Sequence, residues 1–201
     1  ARPAVEQDRP ERSRFRARVG AVAGLPGAAF QGRSELPDTF SLFAAGLLAL
    51  QTRPPEAIGR MIGLFFEVPV RIREFIGAWL DIPAKAQTRI GVSGGNSILA
   101  RNTTVGSRVF LRHHRFRIVL GPLGLREFLG FLPDQRARGT MRAMVRQAAG
   151  LESDWDVQLL LRWQEVPTTQ LGLVTRLGWT SWLHARHRAC DADDLILPGN
   201  A

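Results

Sequence analysis

Residues 155–163 constrain the fold most. Trp155, Val157, Leu159, Leu161 and Trp163 alternate with Asp156, Gln158, Leu160 and Arg162, the period of a strand with one face buried. Such a strand needs neighbouring strands and a second layer over its apolar face. Helical periodicity elsewhere supplies that layer. Asp38 or Thr39 can cap a helix whose inward face is Phe40, Phe43, Ala44, Leu47 and Leu48. Arg53-Pro54-Pro55 stops it. Pro55 can open a second helix over residues 56–66, with Ile58, Met61, Ile62 and Phe65 inward. The pattern predicts two further helices over 124–131 and 136–149, separated by Pro133 and ended by Gly150.

Other stretches share the two-residue period. Residues 14–19, Arg-Phe-Arg-Ala-Arg-Val, alternate strictly and read as a strand. Val68, Val70 and Ile72 read as another, and so do residues 105–111 and 115–120, the latter ended by Gly121-Pro122. Two short strands are expected at 177–183 and 193–197. Residues 20–38 and Gly91–Ser97 read as loops, and 1–13 as an extended polar arm. The sum is an α+β fold of helix pairs with short mixed or antiparallel strands. It divides into an N-terminal arm, strand and loop (1–38), a helical hairpin (39–66), and an α+β region with several short strands and two helices (67–201).

A single cysteine, Cys190, excludes an intrachain disulfide framework. The longest apolar run, Phe40 to Leu50, contains Ser41 and is too short to span a bilayer. These features point to an intracellular protein in solution. Net charge is +9, and Lys85 is the only lysine. Residues 101–150 hold ten arginines against Glu127 and Asp134, whereas residues 151–201 hold four arginines and seven acidic residues. Part of the basic excess is therefore expected to be neutralised by the acidic end, and the remainder by an acidic partner or a nucleic acid. Arg14/Arg16/Arg18, Arg71/Arg73 and Arg115/Arg117 each form a stripe on one strand face. Arg138, Arg142 and Arg146 are expected on one exposed helix face. These last three, with Arg115 and Arg117, are the candidate partner-binding residues. The five tryptophans read mostly as core.

Tests for chemistry return little. Gly91–Ser97 lacks the Lys-Ser/Thr of a phosphate-gripping loop. His184, His187 and Cys190 are spaced by three, but no second pair closes a tetrahedral site. Asp154 and Asp156 share a strand face, and the simpler expectation is that Asp156 pairs with an arginine on a neighbouring strand. No catalytic, cofactor or metal site is expected. The rival readings are a nucleic-acid-binding module using the arginine stripes, and a hydrolase using Asp154/Asp156 or His187/Cys190.

Six stretches, in order along the chain, resemble the TssG (ImpH/VasB) family of type VI secretion baseplate proteins. They are Phe66–Leu80, Val105–Val109, Arg115–Leu123, Asp154–Leu159, Leu177–Leu183 and Asp191–Ile196. The resemblance implies a fold like the tail-baseplate wedge proteins of contractile phages and a structural rather than catalytic role. It implies a hetero-oligomeric wedge with two copies of TssF, contacts to TssE and TssK, and a position around the VgrG spike. It also implies residence in the cytoplasm, at the cytoplasmic face of the inner membrane, joined to the membrane complex only indirectly. No nucleic acid is implied. Relative to that family the chain is short near residues 30–38 and at Gly91–Ser97.

Overall fold

The computed structural model describes residues 18–21, 35–49, 52, 54–92, 95–169, 175–182 and 190–199. Among these, α1 (Asp38–Phe43), α2 (Ala45–Leu48) and α3 (Pro55–Phe66) precede β1 (Val70–Arg73), β2 (Ala78–Asp81), β3 (Arg108–Leu111) and β4 (Arg115–Leu123). Then come α4 (Leu125–Gly130), α5 (Arg136–Ala149), β5 (Asp154–Leu161) and β6 (Ala192–Pro198). The fold is α+β.

The main sheet has the order β1-β4-β5-β6. β4 and β5 run parallel, with Ile118 opposite Val157 and Leu120 opposite Leu159. A parallel pair needs a crossover, and α4 and α5 provide it. The outer pairs, β1 with β4 and β5 with β6, are antiparallel. The strand over 155–161 has the phase that alternation predicts: Trp155, Val157, Leu159 and Leu161 are buried with Ile118, Leu120 and Leu123 of β4. Phe128, Met141, Met144, Val145, Met61 and Ile62 cover this face from α4, α5 and α3.

Several expectations are corrected. Gly121-Pro122 does not end β4, because the strand continues through a register shift to Leu123. Gly121 sits at φ 123°, where a Cβ would strike Leu160 O, so the irregularity needs glycine. The first helix is not continuous. Ala44, with φ −82° and ψ 3°, separates α1 from α2 and leaves Phe43 exposed. Neither Asp38 nor Thr39 caps it, since Pro37 holds the N-cap position. Residues 18–21 are helical where a strand over 14–19 is expected, and residues 14–17 lie outside the described residues. Residues 177–180 form a turn instead of a strand, closed by the Arg176 N–H donating to Thr180 Oγ1 at 2.8 Å. Trp163 falls in a short 3₁₀ turn, half-exposed.

Candidate partner-binding surfaces

The face of the sheet turned away from the helices carries the arginine stripes. Alternation places Arg71 and Arg73 of β1, Arg115 and Arg117 of β4, and Asp154 and Asp156 of β5 on this one face, away from the core. Arg117 is not available to a partner. Its Nε and Nη2 donate to Asp156 Oδ1 and Oδ2 at 2.5 and 2.9 Å, the bidentate fork that suits arginine to carboxylate. Hydrogen bonding to Asp156 raises the Arg117 pKa, and burial opposes it. This pair meets the expectation that Asp156 binds an arginine on the neighbouring strand, and that the acidic end neutralises part of the basic middle. Arg115 is half-buried, and its Nε lacks a partner among the described residues. Charge therefore changes across the face, from basic on β1 and β4 to acidic on β5.

The helix α5 carries the second set. Arg142 and Arg146 are exposed, as expected. Arg138 is not: it is 1% exposed. Each step of four residues turns a helix by about 40° beyond a full circle, so three arginines spaced by four sweep about 80°. Arg138 thereby joins the buried stripe of Met141, Val145 and Ala148. Its Nη2 donates to the carbonyl of Pro198 in β6, while Nε and Nη1 have no partner among the described residues. Burial, with the nearby charge of Arg142 second, lowers its pKa.

A third surface is one that periodicity did not mark. β2 and β3 form a separate two-stranded antiparallel sheet. With the connection between them they make an arm inserted between β1 and β4. Trp79 and Phe110 sit opposite each other in register, with ring centroids 5.3 Å apart. Gly77 has no room for a Cβ because the Phe110 ring lies against it. Arg112 stands over the Phe110 ring at 5.8 Å. Trp79 is nevertheless 66% exposed, and Ile90, Leu99 and Val105 farther along the arm are more than four-fifths exposed. The arm holds its shape by polar ties rather than by a core. Thr88 Oγ1 donates to Asn96 O at 3.0 Å and accepts from Thr104 N–H at 2.9 Å. Asn102 Oδ1 accepts from Ile98 N–H at 3.0 Å, and Arg108 pairs with Asp81 at 2.7 Å. The arm thus presents Trp79, Phe110, Ile90 and Leu99 as an exposed apolar surface, the kind of patch that marks candidate interaction sites. The available signal was Trp79 beside Phe75 and Ile76, a short apolar cluster without a covering layer.

The remaining candidates are not brought together. Cys190 is exposed, and His184 and His187 lie outside the described residues. Among the described residues, no three His, Cys, Asp or Glu side chains form a metal-sized group. None of the described helices is long and apolar enough to cross a membrane.

The family model described as type VI secretion, TssG, matches residues 1–184. No curated protein matches the chain. Among solved structures, a chain of the type VI secretion TssK–TssF–TssG baseplate subcomplex, determined by cryo-electron microscopy, is similar in fold. Its TM-score is 0.71 at 15% identity, over 93% of this chain and 78% of that one. The family model covers residues 1–184 of the 201, and the chain belongs to the TssG family of type VI secretion proteins.

Proposed function

We propose that the protein is a non-catalytic scaffold of the baseplate wedge, acting through protein–protein contacts. The observation that carries this is the arm: an internally tied β-ribbon with Trp79, Phe110, Ile90, Leu99 and Val105 turned outward. The partners proposed are TssF and TssK, both named in the complex that the fold resembles. Two copies of TssF per wedge, contacts to TssE and to the VgrG spike, and a position at the cytoplasmic face of the inner membrane complete the proposal. In it, Arg115, Arg142 and Arg146 supply charge-assisted contacts at the rim of these interfaces. Rim charges act mainly on association rate and register. Arg138 and Arg117 drop out of the contact set, one buried against Pro198 and the other held by Asp156.

Co-expression of the chain with TssF and TssK, followed by size exclusion and native mass spectrometry, tests this reading. A stable ternary complex is expected, and Trp79→Ser with Phe110→Ser should release a partner from it while leaving the melting temperature unchanged. Undiminished assembly in that double variant would remove the arm from the interface. Failure of any complex to form would sink the scaffold reading itself.

A further inference from the structure

β1 is an edge strand. It pairs with β4 on one side and has no strand on its other side among the described residues. The ladder fixes which backbone groups point outward. Gly121 N–H donates to Pro69 O at 2.9 Å. The register Arg71↔Val119 and Arg73↔Arg117 continues that hydrogen-bonded set at every second residue. Val70 and Ile72 therefore aim their N–H and C=O groups away from β4, along the open edge.

A groove of about 580 Å³ runs beside this edge, between β1 and α3. Its α3 wall includes Gly59, Gly63 and Leu64. A Cβ on Gly63 would stand 3.3 Å from Val68 O and 3.6 Å from Val70 Cγ2. The two glycines bring α3 close to the strand and keep bulky side chains off the groove. Leu64 is 57% exposed at its side. On the opposite face of β1, Arg71 and Arg73 are exposed. Glu56 and Arg60 on α3 oppose each other in charge, and exposed Glu74 just past the strand offsets one arginine, so the net positive charge left at the edge comes from Arg71 and Arg73.

We propose that this edge accepts an extended segment of a partner protein as a fifth strand, hydrogen-bonded to Val70 and Ile72. Its carboxylates, at alternate positions, face Arg71 and Arg73, and its apolar side chains face Gly59, Gly63 and Leu64. Strand addition draws affinity from main-chain hydrogen bonds and specificity from alternate side chains. A second copy of this chain fits poorly. Antiparallel pairing of β1 with itself sets arginines across from arginines, which is destabilising. The chain's own alternating stretch, Arg14-Phe-Arg-Ala-Arg, is basic and meets the same objection. The inference does not depend on the arm, which lies on a different sheet.

The test uses the full chain, isotope-labelled, and a capped heptapeptide of alternating glutamate and valine. A peptide with lysine in place of glutamate serves as the comparison. The glutamate peptide should slow amide exchange at Val70 and Ile72, leaving Arg71, already bonded to β4, unchanged. Two cross-strand ion pairs give it about a tenfold lower Kd than the lysine peptide. Arg71→Glu with Arg73→Glu should invert that preference. Ile72→Pro, which removes an outward donor without touching the β4 ladder, should abolish binding. The double charge reversal keeps the test decisive if that variant misfolds. No protection at millimolar peptide would mean that Arg71 and Arg73 only guard a bare edge and would overturn the proposal. Equal protection by both peptides would overturn it as well. So would protection that grows with protein concentration alone, which would assign the edge to a second copy.

Discussion

Arg138 is the residue whose environment is least comfortable. A guanidinium cannot shed its proton at ordinary pH, and here two of its nitrogens lack partners in the core. Its folded-state pKa is lowered, so ionised Arg138 disfavours folding at every pH below that lowered value, the neutral range included. Arg138→Met should therefore hold the melting temperature or raise it, despite losing the bond to Pro198, because buried charge is often less stabilising than a well-packed apolar side chain. A fall of several degrees would show that the Pro198 contact outweighs the desolvation. The pair Arg117–Asp156 behaves oppositely, since each partner compensates the other. Asp156→Ala should cost about 3–5 kcal/mol by leaving Arg117 uncompensated in a poorly solvated place, and Arg117→Met with Asp156→Leu should recover most of it. Denaturant titration of the two variants decides this. Trp155, 6% exposed with Gly199 packed on its ring, should cost about 3–5 kcal/mol on replacement by alanine. Wild-type stability in Trp155→Ala would put the phase of β5 in error.

At the scale of elements, α5 divides cleanly between a buried and a solvated side. Arg142→Glu with Arg146→Glu should hold the melting temperature or raise it, because a carboxylate at position 142 attracts the buried Arg138 charge instead of repelling it. The same change should slow association with partner subunits, most visibly at low salt. Normal association at both low and high salt would take this helix out of the interface. The elements that periodicity predicts well, α3, α5, β4 and β5, have apolar spacing and core position in agreement. Their apolar side chains fall on the face that meets the core, so period and apolar burial carry the same information, although β5 also buries Asp156 and Gln158 on its other face. Where they part, the expectation fails. Leu177 and Trp179 alternate like a strand but lie in a turn held by Thr180. Phe43 fits a helical stripe but is thrown outward at the Ala44 break. Arg138 looks solvated because a side chain's type says nothing of the slow rotation of four-residue spacing around a helix. The proposed contact surfaces are half legible. Arg142 and Arg146 are readable as an exposed charged face, whereas Trp79 and Phe110 are not, because an apolar ribbon left exposed has the same local pattern as one covered by its own core.

For the whole molecule, exposed apolar groups concentrate on the arm and not on the main sheet. The isolated protein should self-associate in light scattering, as surfaces made for obligate contacts do. Trp79→Ser with Phe110→Ser should shift it toward a monomer without altering its melting. Aggregation that persists in that variant would locate the sticky surface elsewhere. The place where the arm leaves the core has a separate consequence. β1 and β4 are hydrogen-bonded neighbours, and the Ile76 N–H donates to Arg115 O at 3.0 Å. Residues 77–114 thus depart and return through a single gate. The entropy of closing such an excursion grows only with the logarithm of its length, about 0.6 kcal/mol for each doubling. Insertions and deletions there leave the strands on either side of the gate nearly indifferent. Reach is then a trait free to drift among relatives while the sheet stays put, so one architecture can span different gaps to its neighbours.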